Sequence, residues 1–142
     1  MTENNILGAV LAGGKSRRFG SDKSSVKLGD KSLIEHTISK IENNFKEILI
    51  ITNNENIIFN NNNVFLINDI IKGYLGPLVG VLTAMDWVKK NKKNYNWIAT
   101  FPCDTPFFDQ SVIETIIKYP QKSTKKLFFL KSGNKRHNIF GL

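Results

Sequence analysis

The chain has 142 residues, 41% of them hydrophobic and 23% charged, with a net charge of +8 and one cysteine. That length builds one domain with a substantial core and is too short for two, and the single Cys103 excludes an internal disulfide and suits a reducing compartment. The opening MTENNILGAVLAGG has no basic leader segment and no apolar stretch long enough for a signal peptide or a membrane span, so the expectation is a soluble, cytoplasmic protein.

The first element is the apolar run 6–12 (ILGAVLA), which ends in glycine and predicts a buried strand. Ser32 and Glu35 have capping-box spacing, and Ile34, Ile38, Ile41 and Phe45 then recur at helical period. Residues 47–52 (EILIIT) and 64–67 (VFLI) predict a second and a third strand. Gly76-Pro77 opens a helix expected to carry Leu78, Leu82, Met85 and Val88 on its inner face. A fourth strand at 96–101 runs into CDTPFF, a short helix follows with Val112, Ile116 and Ile117 inward, and 127–130 (LFFL) predicts a fifth strand.

This alternation predicts an α/β fold, a single Rossmann-like three-layer domain with a mostly parallel sheet, spanning 1–142 without linker or repeat. In such sheets ligands bind beyond the carboxyl ends of the strands. LAGGKSRRFG, TNNEN, INDIIKGYLGPLVG and PCDTPFF all follow such ends. The many lysines are scattered over helix ends and loops without interleaved aromatics. They predict a solvated basic surface and argue against a nucleic-acid partner.

The stretch LAGGKSRRFGSDK packs Gly13, Gly14 and Gly20 among Lys15, Arg17, Arg18 and Lys23. It is not a P-loop: counting back from Gly14-Lys15-Ser16 puts the required first glycine at Ala9, and Gly8 is one position too early. The adjacent Gly13-Gly14 pair also breaks the dinucleotide fingerprint. The physics still favours phosphate, because small residues let backbone N–H groups approach an anion while the cations neutralise it. Asp104, between Pro102 and Pro106, offers a carboxylate of the kind magnesium takes alongside phosphate oxygens; its alternative role is an Asx turn.

LAGGKSRRFGSDK resembles the signature loop of the molybdenum cofactor guanylyltransferases, within the nucleotidyltransferase superfamily. The likeness continues at Asn68-Asp69, at 76–80 (GPLVG), at 101–107 (FPCDTPF) and in the basic segment 135–140 (KRHNIF). It implies transfer of GMP from GTP to molybdenum-bearing molybdopterin with release of pyrophosphate, and magnesium as cofactor. It further implies that the backbone of Leu11, Ala12 and Gly13, with Gly14, lies along the nucleotide. Lys23 would contact the phosphates, Arg18 would serve as a basic residue of the same loop, Asp69 would stand near the guanine nucleotide, and Asp104 would hold the metal. Arg18, Lys23 and Asp104 form the candidate catalytic set. The position after the second strand falls on Thr52 or Asn53, with Asn53 as the candidate contact. Members of that family continue past Leu142, so the resemblance implies a missing C-terminal part, an incomplete acceptor side near His137, and an apolar tail open to self-association. A transferase using CTP or a sugar phosphate, and a non-catalytic nucleotide-binding module, stay open as alternatives.

Overall fold

The computed structural model describes residues 5–13, 23–73 and 75–142. Its elements in chain order are β1 (Ile6–Leu11), a 3-10 turn (Lys23–Ser25), β2 (Lys27–Leu28), β3 (Lys31–Ser32), α1 (Leu33–Ile41), β4 (Ile48–Ile51), β5 (Val64–Ile67), α2 (Pro77–Lys90), β6 (Trp97–Pro102), α3 (Gln110–Lys118), β7 (Phe129–Ser132) and β8 (Lys135–Gly141). Six strands form one sheet in the order β5-β4-β1-β6-β8-β7, while β2 and β3 make a separate small hairpin. The first four neighbours are parallel; β8 runs antiparallel to both β6 and β7.

Continuous apolar strands produce this arrangement because both faces of the sheet are covered. On one face α1 and α3 bury Ile34, Ile38, Ile41, Ile113 and Ile116 against Val10, Ile48, Ile50 and Phe101. On the other, α2 packs Ala84, Trp87 and Val88 against Leu7, Ala9, Leu49 and Ile51. The predicted three-layer α/β domain is therefore what forms. The capping box also forms: Ser32 Oγ accepts from the Glu35 amide at 3.3 Å, and Glu35 Oε2 accepts from the Ser32 amide at 2.6 Å. Those hydrogen bonds hold the Glu35 carboxyl below its ordinary range.

Two expectations need correction, on the inner face of α2 and at the C-terminal tail. The inner face of α2 carries Val79, Gly80, Thr83 and Ala84, whereas Leu78, Leu82 and Met85 are exposed. The small residues let the helix lie close to the sheet, so the larger ones turn outward. The β4–β5 connection carries no helix among its residues; the asparagine-rich 52–63 stretch instead turns through Asn54, whose Oδ1 accepts from the Asn56 amide at 3.0 Å. The tail is no unprotected edge. β8 lies inside the sheet between β6 and β7, and Leu142 exchanges both backbone hydrogen bonds with Phe128 at 2.9 and 3.0 Å. The argument for self-association through that tail falls with it.

Candidate functional site

The chain runs from β1 outward through β4 to β5, then returns to β6 on the other side of β1. Strand order reverses between β1 and β6, whose ends align with Leu11 opposite Pro102. Such a reversal opens a crevice at the carboxyl ends of the strands, where ligands of open α/β sheets bind. Leu11, Ala12 and Gly13 leave on one side of the crevice, and Cys103-Asp104 on the other. Gly14 and Arg18, like the rest of 14–22, lie outside the described residues.

Next to β1, the ends of β4 and β5 bring Asn53 and Asp69 together. Asn53 Nδ2 donates to Asp69 Oδ2 at 3.0 Å, and the Asp69 amide donates to Asn53 Oδ1 at 3.2 Å. Thr52, the other candidate at this position, is buried, and its amide is spent on the Ile67 carbonyl at 3.0 Å. Asn53 is thus the one of the two whose side chain meets Asp69. The Asp69 carboxylate lies directly over Gly13: a Cβ there would stand 2.8 Å from Asp69 Oδ2. Only glycine fits while that carboxylate keeps its place.

Lys23 and Asp104 meet across the opening, Nζ to Oδ2 at 3.6 Å, with side chains 40% and 38% exposed. At that exposure the pair contributes under about 1 kcal/mol, so stability alone does not explain it. Local structure fixes both partners. The Lys23 carbonyl accepts from the Val26 amide at 3.2 Å, closing the 3-10 turn, and Ser24 is buried. Asp104 stands between Pro102, paired in β6, and the buried Pro106.

The start of α2 completes the rim. Gly76 caps it with φ 94°, Pro77 occupies the first turn, and Gly80 lies where a Cβ would be 2.9 Å from Leu11 Cδ2. Sequence reasoning missed Thr83. Its hydroxyl donates to the Val79 carbonyl at 2.7 Å and accepts from the Ile70 amide at 3.1 Å, anchoring the segment that carries Asp69. A lone hydroxyl amid the apolar residues of a helix is the signal that could have found it. His137 lies at the start of β8, on the edge of the sheet that also bears the carboxyl ends of the parallel strands, and its Nε2 is 2.7 Å from Ser132 Oγ. Cys103 is half-buried at the end of β6.

A family model described as the MobA-like NTP transferase domain matches residues 8–141. The chain belongs to this family. Among curated relatives, the molybdenum cofactor guanylyltransferase of Shewanella woodyi is 32% identical over 135 residues, covering 94% of this chain and 66% of the relative. That of Haemophilus influenzae is 31% identical over 138 residues, covering 96% and 69%. The chain therefore spans about two thirds of the length of these relatives. Molybdopterin-guanine dinucleotide biosynthesis protein A from Archaeoglobus fulgidus has the same fold, with a TM-score of 0.72 at 23% identity, covering 95% of this chain and 65% of that one. No helix among the described residues is long and apolar enough to cross a membrane.

Proposed function

We propose that this chain binds GTP across the crevice between β1 and β6 and transfers GMP to the terminal phosphate of a molybdopterin-type acceptor, releasing pyrophosphate, in the cytoplasm. The observation that carries the reading is the meeting of Lys23 and Asp104 at 3.6 Å, at the point where strand order reverses. A cation and a carboxylate held at that opening suit a ligand bearing phosphates and a divalent metal. The family membership and the names of the relatives agree with that chemistry.

The roles are those the resemblance implies, and for the described residues their places at the strand ends support them. The backbone of Leu11, Ala12 and Gly13, continued by Gly14, lines the nucleotide. Asn53 and Asp69 face its nucleoside side, with Asp69 oriented by two hydrogen bonds. Lys23 and Arg18 neutralise the phosphates. The acceptor phosphate oxygen attacks the α-phosphorus in line with the departing pyrophosphate, so the protein contributes positioning and charge and needs no covalent intermediate. Asp104 is the residue to hold magnesium. One carboxylate at a half-exposed position fits an ion that keeps water and phosphate oxygens as its other ligands. Among the described residues no His, Cys, Asp or Glu cluster offers an all-protein cage. When bound there, magnesium would draw charge from the phosphate oxygens.

The test is a titration of GTP, CTP and UTP with and without magnesium, on the parent and on Asp104→Asn. Asparagine keeps the size of the side chain and removes its charge. GTP preference with a magnesium response in the parent, lost in the variant, is the expected result. Equal affinity for the three nucleotides, or an undiminished magnesium response in Asp104→Asn, would refute the reading.

A further inference from the structure

One side of α1 grips the two chain segments that carry Lys23 and Asp104. His36, Thr37 and Lys40 fall within about a quarter turn of one another around the helix. His36 Nε2 lies 2.8 Å from the Leu28 carbonyl oxygen, which can only accept, so this nitrogen carries the proton. The same ring packs on Phe107, with centroids 5.9 Å apart. Lys40 Nζ donates to the Phe108 carbonyl and lies 5.0 Å from the centre of the Phe108 ring. The Thr37 hydroxyl donates to the Leu33 carbonyl at 3.1 Å and stands 3.5 Å from the Cys103 carbonyl oxygen.

These contacts bracket Asp104. Cys103 precedes it, Phe107 and Phe108 follow it, and all three touch α1. The Lys23 side is tied to the same helix: the Val26 amide donates to the Lys23 carbonyl, the Leu33 amide donates to the Val26 carbonyl at 2.9 Å, and Leu28 is held by His36. Helix α1 is itself fixed by its capping box and by Ile34, Ile38 and Ile41 in the core. Phe107 is 69% exposed, so burial of its ring does not account for its place. The contact with His36 does.

We propose that His36 and Lys40, with Thr37 and Phe107, are positioning residues: they clamp 103–108 onto α1 and so set the reach of the Asp104 carboxylate relative to Lys23. The inference rests on the reading of Asp104 as the metal-holding residue. Among the described residues, His36 and Lys40 make their contacts with Leu28, Phe107 and Phe108 and not with Lys23 or Asp104, so both act through the segments they hold. Loosening the clamp leaves the nucleotide's own contacts in place and spoils the site where metal and phosphate must be held together.

The experiment compares Lys40→Met, Phe107→Ala and their combination with the parent in the full chain; Phe107 is exposed and Lys40 half-buried, and neither belongs to the buried core, so the fold survives. Hydrogen exchange of the amides at 103–108 reads the clamp itself. Half-saturating magnesium at fixed GTP, and GTP affinity without magnesium, read its consequence. Expected are faster exchange confined to 103–108, a magnesium requirement raised about tenfold, and GTP affinity without magnesium unchanged within about twofold. Lys40→Arg, which keeps a donor for the Phe108 carbonyl, should restore the parental requirement. Unchanged exchange, or an unchanged magnesium requirement while Asp104→Asn abolishes the response, overturns the proposal. A parental response in Asp104→Asn instead sinks the metal reading, and the exchange data then decide the clamp by themselves.

Discussion

Replacing Gly13 by alanine is the sharpest test of how the crevice is built. The new Cβ would stand 2.8 Å from Asp69 Oδ2, closer than a carbon and an oxygen approach without bonding. Relief by turning the Asp69 carboxylate away breaks its hydrogen bond from Asn53 Nδ2, which contributes about 0.5–1.5 kcal/mol, and removes a partner of the side chain that also accepts from the Asp69 amide. Relief by moving the end of β1 strains the 2.8 Å bond from the Ala12 amide to the Ile51 carbonyl. Either route costs about 1–3 kcal/mol, the usual range for an overpacked site. That lowers the melting temperature of a domain this size by roughly 3–10 °C. Calorimetry or a circular-dichroism melt measures it, and a GTP titration on the same samples reports the loss at the site. Asp69→Ala removes the atoms that clash, so the double variant should be more stable than the two single penalties add up to, by about 1 kcal/mol. An alanine variant melting within a degree of the parent, or strict additivity in the double variant, would refute the account of why glycine stands at this position.

Three further outcomes are expected. Lys23→Ala should weaken GTP binding about ten- to a hundredfold, the effect of a lost charge-assisted hydrogen bond of about 1.5–3 kcal/mol; parental affinity in a folded variant would remove Lys23 from the site. Gly80→Ala should be near-neutral by thermal melting, because a helix gain of about 1 kcal/mol offsets the contact with the movable end of Leu11, whereas Gly80→Val should destabilise by about 1–3 kcal/mol. The third concerns Glu47. Burial raises its carboxyl pKa, but hydrogen bonds from Lys93 at 2.6 Å and Tyr95 at 2.7 Å carry it below the ordinary 4.5. A depressed folded-state pKa contributes stability that is present above the unfolded value and lost as pH falls through the folded one. Melts below about pH 4.5 should therefore show a shallower acid loss in Glu47→Gln than in the parent. Burial and the same carboxylate push the Tyr95 hydroxyl above its ordinary value, so its contribution is lost at alkaline pH.

Sequence patterning revealed most of the scaffold for a simple reason. A sheet buried on both faces writes itself as unbroken runs such as ILGAVL and ILII, and a capping box as Ser32 and Glu35. The ends of those runs located the crevice, and with it the neighbourhood of Gly13, Asn53, Asp69 and Asp104. Periodicity failed on α2, where Leu78, Leu82 and Met85 look like the natural inner face. What decides the face is how closely the helix approaches Leu11 and Ile51, and the small residues Gly80, Thr83 and Ala84 favour that approach. The pairing of Asn53 with Asp69 and of Lys23 with Asp104 depends on strand order, which no local pattern encodes. Thr83 and His36 were illegible as partners for the same reason, since each acts on a loop distant in the chain.

The place of β8 has a consequence for how the chain assembles. Strands β1, β4, β5 and β6 pair in parallel through connections that the chain completes before it reaches residue 103. Until the β7–β8 hairpin docks, β6 is an edge, with the open backbone of Trp97–Pro102 able to recruit another strand. The hairpin closes locally through the Gly133-Asn134 turn, and local pairing is fast. Thr100, whose hydroxyl donates to the Ile139 carbonyl at 2.6 Å, is where the covering strand locks onto β6. A state in which Phe129–Leu142 has left the sheet should consequently be the aggregation-prone one, because it bares β6 while the parallel core stays paired.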